Sequence, residues 1–317
     1  MKHTRKDNMK RLAPVFVLLA GILWGMMGIY VRRLNAAGFT TIEIVAVRSV
    51  VTALLLFLVL FFYNREMLKI RIRDIWCFIG TGIFSIVFFN YCYFKAITMT
   101  SLSVAAVLLY TAPAIVMILS AVFFHEKITA VKLISLAATF IGCVLVTGLV
   151  GSTESLNTAG ILVGLGAGLG YALYSIFSRF ALERGYHSLT ISFYTFVFAS
   201  LGALPLADVR MIYRACVDDI GMLGFYLVFA LVSTVVPYIL YTLGLTALEN
   251  SKASIIASVE PVAATVLGIV LFHEKMTANN ITGIVLVLGA IVICNVDVKG
   301  WRLLFGKMRR GKDKYEA

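Results

Sequence analysis

Residues 93–146 return, without a gap, as residues 241–294. At a constant offset of about 148 positions, Phe124-His125-Glu126-Lys127 falls on Phe272-His273-Glu274-Lys275, and Pro113 falls on Pro261. Upstream, Ala20, Gly21, Trp24, Gly28 and Arg32 align with Ala167, Gly168, Tyr171, Ser175 and Arg179 at an offset of about 147. The following loop repeats too, Gly38-Phe39-Thr40-Thr41 against Gly185-Tyr186-His187-Ser188. A duplication on this scale fixes the architecture before any local propensity is weighed. It divides the chain into a first copy at 1–150, a second at 151–298 and a basic tail at 299–317. The stretch Gly151–Thr158 is the only one with linker composition.

Each copy is too apolar for water. The chain is 61% hydrophobic and 14% charged, well below the charge of a soluble domain. Apolar runs recur, each near the ~20 residues that cross a bilayer as a helix. They fall at 12–32, 41–63, 74–95, 102–124, 130–150, 158–179, 189–206, 220–246, 252–272 and 280–298. The fold expected is an all-α polytopic membrane protein of about ten helices, five per copy. A barrel would need alternating strands, whereas these runs are continuous and rich in Leu, Ile, Val and Ala. The first run follows Lys10-Arg11 like a signal peptide, but its length and the Arg32-Arg33 that closes it read as a retained helix.

Charge sets the orientation. With the N-terminus inside, the inner loops, the N-terminal arm and the tail collect 21 of the 28 Lys and Arg residues, and the outer loops only 6. The positive-inside rule then places both termini in the cytoplasm of a cell with a plasma (inner) membrane. The net charge of +12 needs no nucleic acid. Trp301–Arg310 reads either as an amphipathic surface helix or as a disordered basic tail. The five cysteines show no paired spacing and read as small apolar residues.

Five crossings per copy force the second copy into the membrane upside down. Inverted repeats are a transporter architecture, with a substrate site between the halves near the midplane. The motifs carry a resemblance. In the first copy they are Trp24-Gly25, Ala96, Ser101–Ala106, Pro113 with Glu126-Lys127, and Gly142; in the second copy they are Ala247, Ser251–Ser254, Glu260-Pro261, Glu274-Lys275, Gly283 and Gly289. In this the chain resembles the ten-helix EamA-type group of the drug/metabolite transporter superfamily. The resemblance implies a carrier that exports amino acids or other small metabolites, without fixing the substrate. A channel and a non-transporting scaffold are the rival readings.

Candidate site residues follow from polarity placed deep in spans. Glu260 stands about nine residues into its span, where its counterpart is Ala112. A buried acid is costly in a membrane, so it either binds substrate, exchanges a coupling proton or pins its helix beside Pro261. Glu-Pro is common in the resembling group, which implies a shared structural task. Pro113 and Pro261 interrupt matching helices. Tyr171, Tyr174, Ser175 and Ser178 share one helical face, as do Tyr238 and Tyr241, and Asn90 and Tyr93; Trp24 matches Tyr171, and Tyr110 lies beside Pro113. Together these read as a wet, amphipathic cavity or as interhelical hydrogen bonds. Arg48, seven residues inside its span, either snorkels outward or meets a substrate anion. Gly160, Gly164, Gly166, Gly168 and Gly170 allow close helix approach, with sliding against the first helix one use for it. Glu126 and Glu274 read as turn-locking residues, because adjacent His and Glu cannot share a metal-binding face; Thr129 and Thr277 read as N-caps. No metal set, cofactor motif, P-loop or clustered nucleophile is visible, so an enzyme is not expected.

Overall fold

The structure, a computed structural model, describes residues 2–149 and 157–295. The core of the linker-like stretch and the amphipathic tail lie outside the described residues. Among those described, every regular element is helical.

In the first copy, α1 (Lys2–Gly25) and α2 (Met27–Ala36) make one span broken at Met26, followed by α3 (Thr41–Tyr63). The next span runs from α4 (Ile75–Ile79) through a π-helical segment, Gly80–Val87, into α5 (Phe88–Met99). Then come α6 (Leu102–Leu109), α7 (Ala112–Phe124) and α8 (Ala130–Val146). The second copy repeats the plan. It has α9 (Thr158–Glu183) and α10 (Ser188–Ala203), then α11 (Val209–Asp218). Next, α12 (Ile220–Ala230) and α13 (Val236–Leu245) flank a π-helical Leu231–Val235, and α14 (Asn250–Ala257), α15 (Glu260–Phe272) and α16 (Ala278–Asn295) complete the copy.

Nine of these spans are long and apolar enough to cross a membrane; the tenth, α8, has 17 residues. At 1.5 Å per residue it covers about 26 Å, slightly short of the ~30 Å core. The amphipathic α11 has no forerunner among the expected spans. It exposes Val209, Tyr213 and Val217 along one face, as a helix lying in the interface would.

Duplication extends to irregular features. Both copies place a π-helical segment in the third span and a break in the fourth. The prolines are not inside continuous helices: Tyr110–Thr111 and Ser258–Val259 end one helix, and Pro113 and Pro261 sit in the first turn of the next. There the missing N–H is one the helix would not have used. The four-residue identity also has a backbone explanation. His125 and His273 close α7 and α15 in left-handed conformation, at φ 54° and 53°. The N–H of Glu126 then bonds Ser120 O, and that of Glu274 bonds Gly268 O, satisfying orphan carbonyls at the helix end. Thr129 Oγ1 accepts from Lys132 N, and Thr277 Oγ1 from Asn280 N.

The copies exchange partners about a two-fold relation. Helix α1 packs on α13, α14 and α15; its counterpart α9 packs on α5, α6 and α7; and α3 meets α10. The glycines of α9 therefore face α5–α7 rather than α1. Gly168 lies so close to Leu108 O and Thr111 Oγ1 that a Cβ would come within 2.9 Å and 2.5 Å of them. Helices α8 and α16 cross glycine to glycine. A Cβ on Gly283 would stand 2.6 Å from Gly142 O, and one on Gly142 2.9 Å from Gly283 O. Gly283→Val should therefore force these helices apart and cost about 1–3 kcal/mol, read as a lower melting temperature of the detergent-solubilised protein. An unchanged melting temperature would show that the crossing is loose.

Candidate functional site

Deep between the copies lies an aromatic cluster. Trp24 of α1 meets Tyr238 and Tyr241 of α13 at ring-centroid distances of 5.2 Å and 5.3 Å, and Tyr171 of α9 at 6.2 Å. Tyr174 and Phe196 each contact Tyr238 edge-on at 4.9 Å. These rings come from both copies, so the cluster forms only when the halves assemble. Three of the tyrosines place their hydroxyls on partners, as membrane interiors require, while Trp24 Nε1 is buried without one. Tyr174 Oη pairs with Thr242 Oγ1 at 2.8 Å, Ser175 Oγ with Tyr241 Oη at 2.7 Å, and Tyr171 Oη donates to Glu260 Oε2 at 2.9 Å.

A cavity opens beside this cluster, lined by Trp24, Ser85, Ile86, Phe89, Tyr171, Tyr174, Ser175, Tyr238 and Tyr241. Its empty volume is about 300 Å³ counting the open space at its mouth, but it is narrow, with room for about one water. Glu260 begins α15 and turns its carboxylate to Tyr171. Tyr93, Tyr110, Tyr171 and Glu260 are only partly buried although they stand deep in their spans. An acid at the first position of a half-helix sits at the positive end of the backbone dipole.

Other expected residues are placed differently. Asn90 is buried and donates to Ile86 O of its own helix at 2.7 Å. Ser178 is fully buried one turn beyond Tyr174. Arg48 does not snorkel: it is 3% exposed.

The turn glutamates part company. Glu126 does not spend its carboxylate on its own turn. It caps α14 in the other copy, accepting from Asn250 N at 2.7 Å, from Ser251 N at 3.2 Å and from the Ser251 hydroxyl. Buried Lys132 joins it, 3.6 Å from Glu126 and 2.9 Å from Glu249. The duplication predicts a mate in which Glu274 caps α6 at Leu102 and Ser103. That contact is absent. Glu274, 48% exposed, pairs instead with Arg32 at 3.0 Å. Leu102 is exposed, Ser103 bonds Thr147 O, and Asn280 stands where Lys132 stands in the first copy. Helix α14 packs on α7, while α6 and α15 barely meet. Sequence reading missed this latch because it looked for the partner of Glu126 within its own turn.

Among the described residues no group of His, Cys, Asp and Glu is arranged to hold a metal. The buried Cys77, Cys92, Cys143 and Cys294 are free.

Two apolar helical copies meeting around a polar, aromatic cluster fit a multi-pass membrane transporter of the drug/metabolite type. The EamA-like transporter family model matches residues 11–148 and again 158–296, and the chain belongs to that family. It is 27% identical over 288 residues to an uncharacterized transporter of Archaeoglobus fulgidus, covering 89% of this chain and 96% of that one. The uncharacterized transporter YxxF of Bacillus subtilis is 26% identical over 93% of each chain. The threonine/homoserine exporter RhtA of Escherichia coli is 25% identical over 65% of each. A solved crystal structure shares the fold at a TM-score of 0.74 with 14% identity, covering 92% of this chain and 98% of that one.

Proposed function

We propose that this chain is a secondary exporter of a small amine-bearing metabolite, an amino acid or a close relative, working by alternating access across the plasma membrane. The observation that carries the reading is the latch asymmetry. Two copies of one fold have matching elements at both ends of the site, yet only the α7–α14 end is packed and capped by a carboxylate from the opposite half. In an inverted repeat, the mirror contact between Glu274 and α6 is the natural latch of the opposite state. The Lys and Arg distribution supports assigning the capped end, and both termini, to the cytoplasmic face. The site is then closed to the cytoplasm. Glu260 and the surrounding rings suit a cationic amine, and the name of the Escherichia coli relative supports amino-acid export.

Purified protein in proteoliposomes, with an imposed proton gradient and labelled L-amino acids including threonine and homoserine, separates this from its rivals. Saturable accumulation against a gradient, with exchange of labelled for unlabelled substrate, is expected. Flux that merely equilibrates would leave a channel, and no flux for any solute would leave a scaffold.

A further inference from the structure

We infer that the cleft between α4 and α7, floored by α9, binds an anionic phospholipid. Arg184 and Arg71 hold its phosphate, and an acyl chain lies along Phe180 between Trp76 and Phe123. The inference goes beyond the export reading and does not depend on the substrate.

The cleft follows from how the third and fourth spans diverge. Helices α5 and α6 pack together on either side of the Thr100–Ser101 turn, and both pack on α9. Toward the opposite membrane face, α4 and α7 each pack on α9 but barely meet one another. Phe180 of α9 is left as the floor. Trp76 of α4 stands 5.2 Å from its ring, and Phe123 and Phe124 of α7 stand at 5.8 Å and 4.7 Å. Trp76 and Phe123 are both exposed, so the cleft opens toward the bilayer. Apolar walls alone would accept any acyl chain.

Selectivity comes from the charges at its mouth. Buried Asp74 accepts from Arg71 Nε at 2.8 Å, from Arg184 Nε at 3.1 Å and from Tyr186 Oη at 2.8 Å. Arg184 Nη1 donates to Phe180 O at 2.9 Å, and Arg71 Nη2 to Arg184 O at 3.2 Å. One terminal nitrogen of each guanidinium, Nη2 of Arg184 and Nη1 of Arg71, is left for a ligand. Arg73, next to Asp74 in the chain, is exposed and has no partner. The nearby acids are engaged elsewhere, Glu66 with Lys69 at 2.8 Å and Glu183 with Arg179 at 3.8 Å. One carboxylate therefore fixes the fork but leaves the mouth positive. Arg184 also lies over the rings of the cleft, its Cζ 4.8 Å from the Trp76 centroid and 5.8 Å from that of Phe180, which presets a planar group for phosphate. An apolar bed ending in basic groups at the membrane surface has the form of a headgroup site. The fold does not require this arginine, because at the offset of 147 it falls on Ala37. In the orientation that the Lys and Arg distribution supports, the site lies in the inner leaflet.

The test uses full-length protein, delipidated in a neutral detergent, and reads binding by thermal stabilisation. The probes are short-chain phosphatidylglycerol, phosphatidylcholine of the same chain length, and inorganic phosphate. Phosphatidylglycerol should bind about tenfold more tightly than phosphatidylcholine, the scale for one to two basic groups facing an anionic headgroup. Inorganic phosphate, which has no chain to lay in the cleft, should give no shift at the same concentration. Arg184→Gln should bring the two lipids within about twofold of each other by weakening phosphatidylglycerol alone. Arg184 also ties two loops together, so Arg73→Gln, at an exposed and unpaired position, supplies a second arm and should narrow the preference to about threefold. Equal affinity for the two lipids in the unmodified protein would overturn the inference, and this arm needs no variant to fold. Phosphate binding as tight as that of phosphatidylglycerol would overturn it too, leaving an anion site without a lipid. An unchanged preference in Arg184→Gln, or in Arg73→Gln where the first variant does not fold, would do the same.

Discussion

Glu126→Ala is expected to turn the transporter over, exposing the site at the α7–α14 end and closing it at the α6–α15 end. The carboxylate accepts two backbone N–H groups and a hydroxyl of α14 and lies 3.6 Å from Lys132. Its removal uncaps a helix, which costs about 1 kcal/mol. It also leaves Lys132, 3% exposed, facing only Glu249, Ser251 and Lys127 O. Because Glu249 still pairs with Lys132 at 2.9 Å, this further loss stays below the ~3–5 kcal/mol of an uncompensated buried charge. In the proposed alternating-access cycle all of that loss falls on one conformation, because the opposite one would have the latch undone. Each ~1.4 kcal/mol of that loss moves the two-state ratio tenfold toward the opposite conformation.

Two matched reporters read the outcome in a cysteine-free background. Ser254 in α14 is buried, and its counterpart Ala106 in α6 is only partly buried. Ala106→Cys should react quickly with a maleimide in the parent protein and slowly once Glu126→Ala is added; Ser254→Cys should do the reverse. Glu126→Gln, which keeps an acceptor for the α14 N–H groups but loses the charge beside Lys132, should fall between them. If neither reporter changes its rate, the cap is a static feature and the two ends do not alternate.

What the sequence disclosed, and what it hid, follows from the range of the forces involved. The spans were legible because crossing a bilayer takes ~20 apolar residues in a row. The duplication was legible because Pro113 and Pro261, and the two Phe-His-Glu-Lys turns, mark the same places. Local chemistry also gave the Thr129 and Thr277 caps. The break at Met26 left no comparable mark, since apolar residues continue through it. Proline signalled a disturbance but not its form: it opens a half-helix instead of bending a whole one. Asn90 looked like a cavity group because a mid-span amide needs a partner, yet a carbonyl one turn back supplies it. Glu126 looked local for the same reason in reverse, because its partners lie 124 and 125 residues away in the chain. Identical sequence in two places therefore carries two different sets of contacts. That difference is tertiary, and no pattern within either copy encodes it.

Glu260→Gln is the second large expectation, and it separates three roles. Gln fills the same space and still accepts the Tyr171 hydroxyl now 2.9 Å from Oε2, so the half-helix entry at Val259–Pro261 should fold unchanged. What disappears is a negative charge at the start of α15. If that charge holds a substrate ammonium, affinity should fall by about 30-fold or more, corresponding to ~2 kcal/mol or above for a buried charged hydrogen bond. The loss should be similar at every pH where the substrate stays cationic, because Gln does not titrate. Exchange of labelled for unlabelled substrate should fall along with accumulation. A coupling role would look different: binding and exchange would survive while proton-driven accumulation failed. A merely structural carboxylate would leave affinity, exchange and accumulation near the parent values. The counterpart Ala112 argues against that last outcome. It occupies the same place at the same kind of break, buried to 2% exposure, and its half-helix begins with no acid at all. The duplicated fold therefore does not need a carboxylate here, and the copy that has one directs it to a cavity-lining tyrosine.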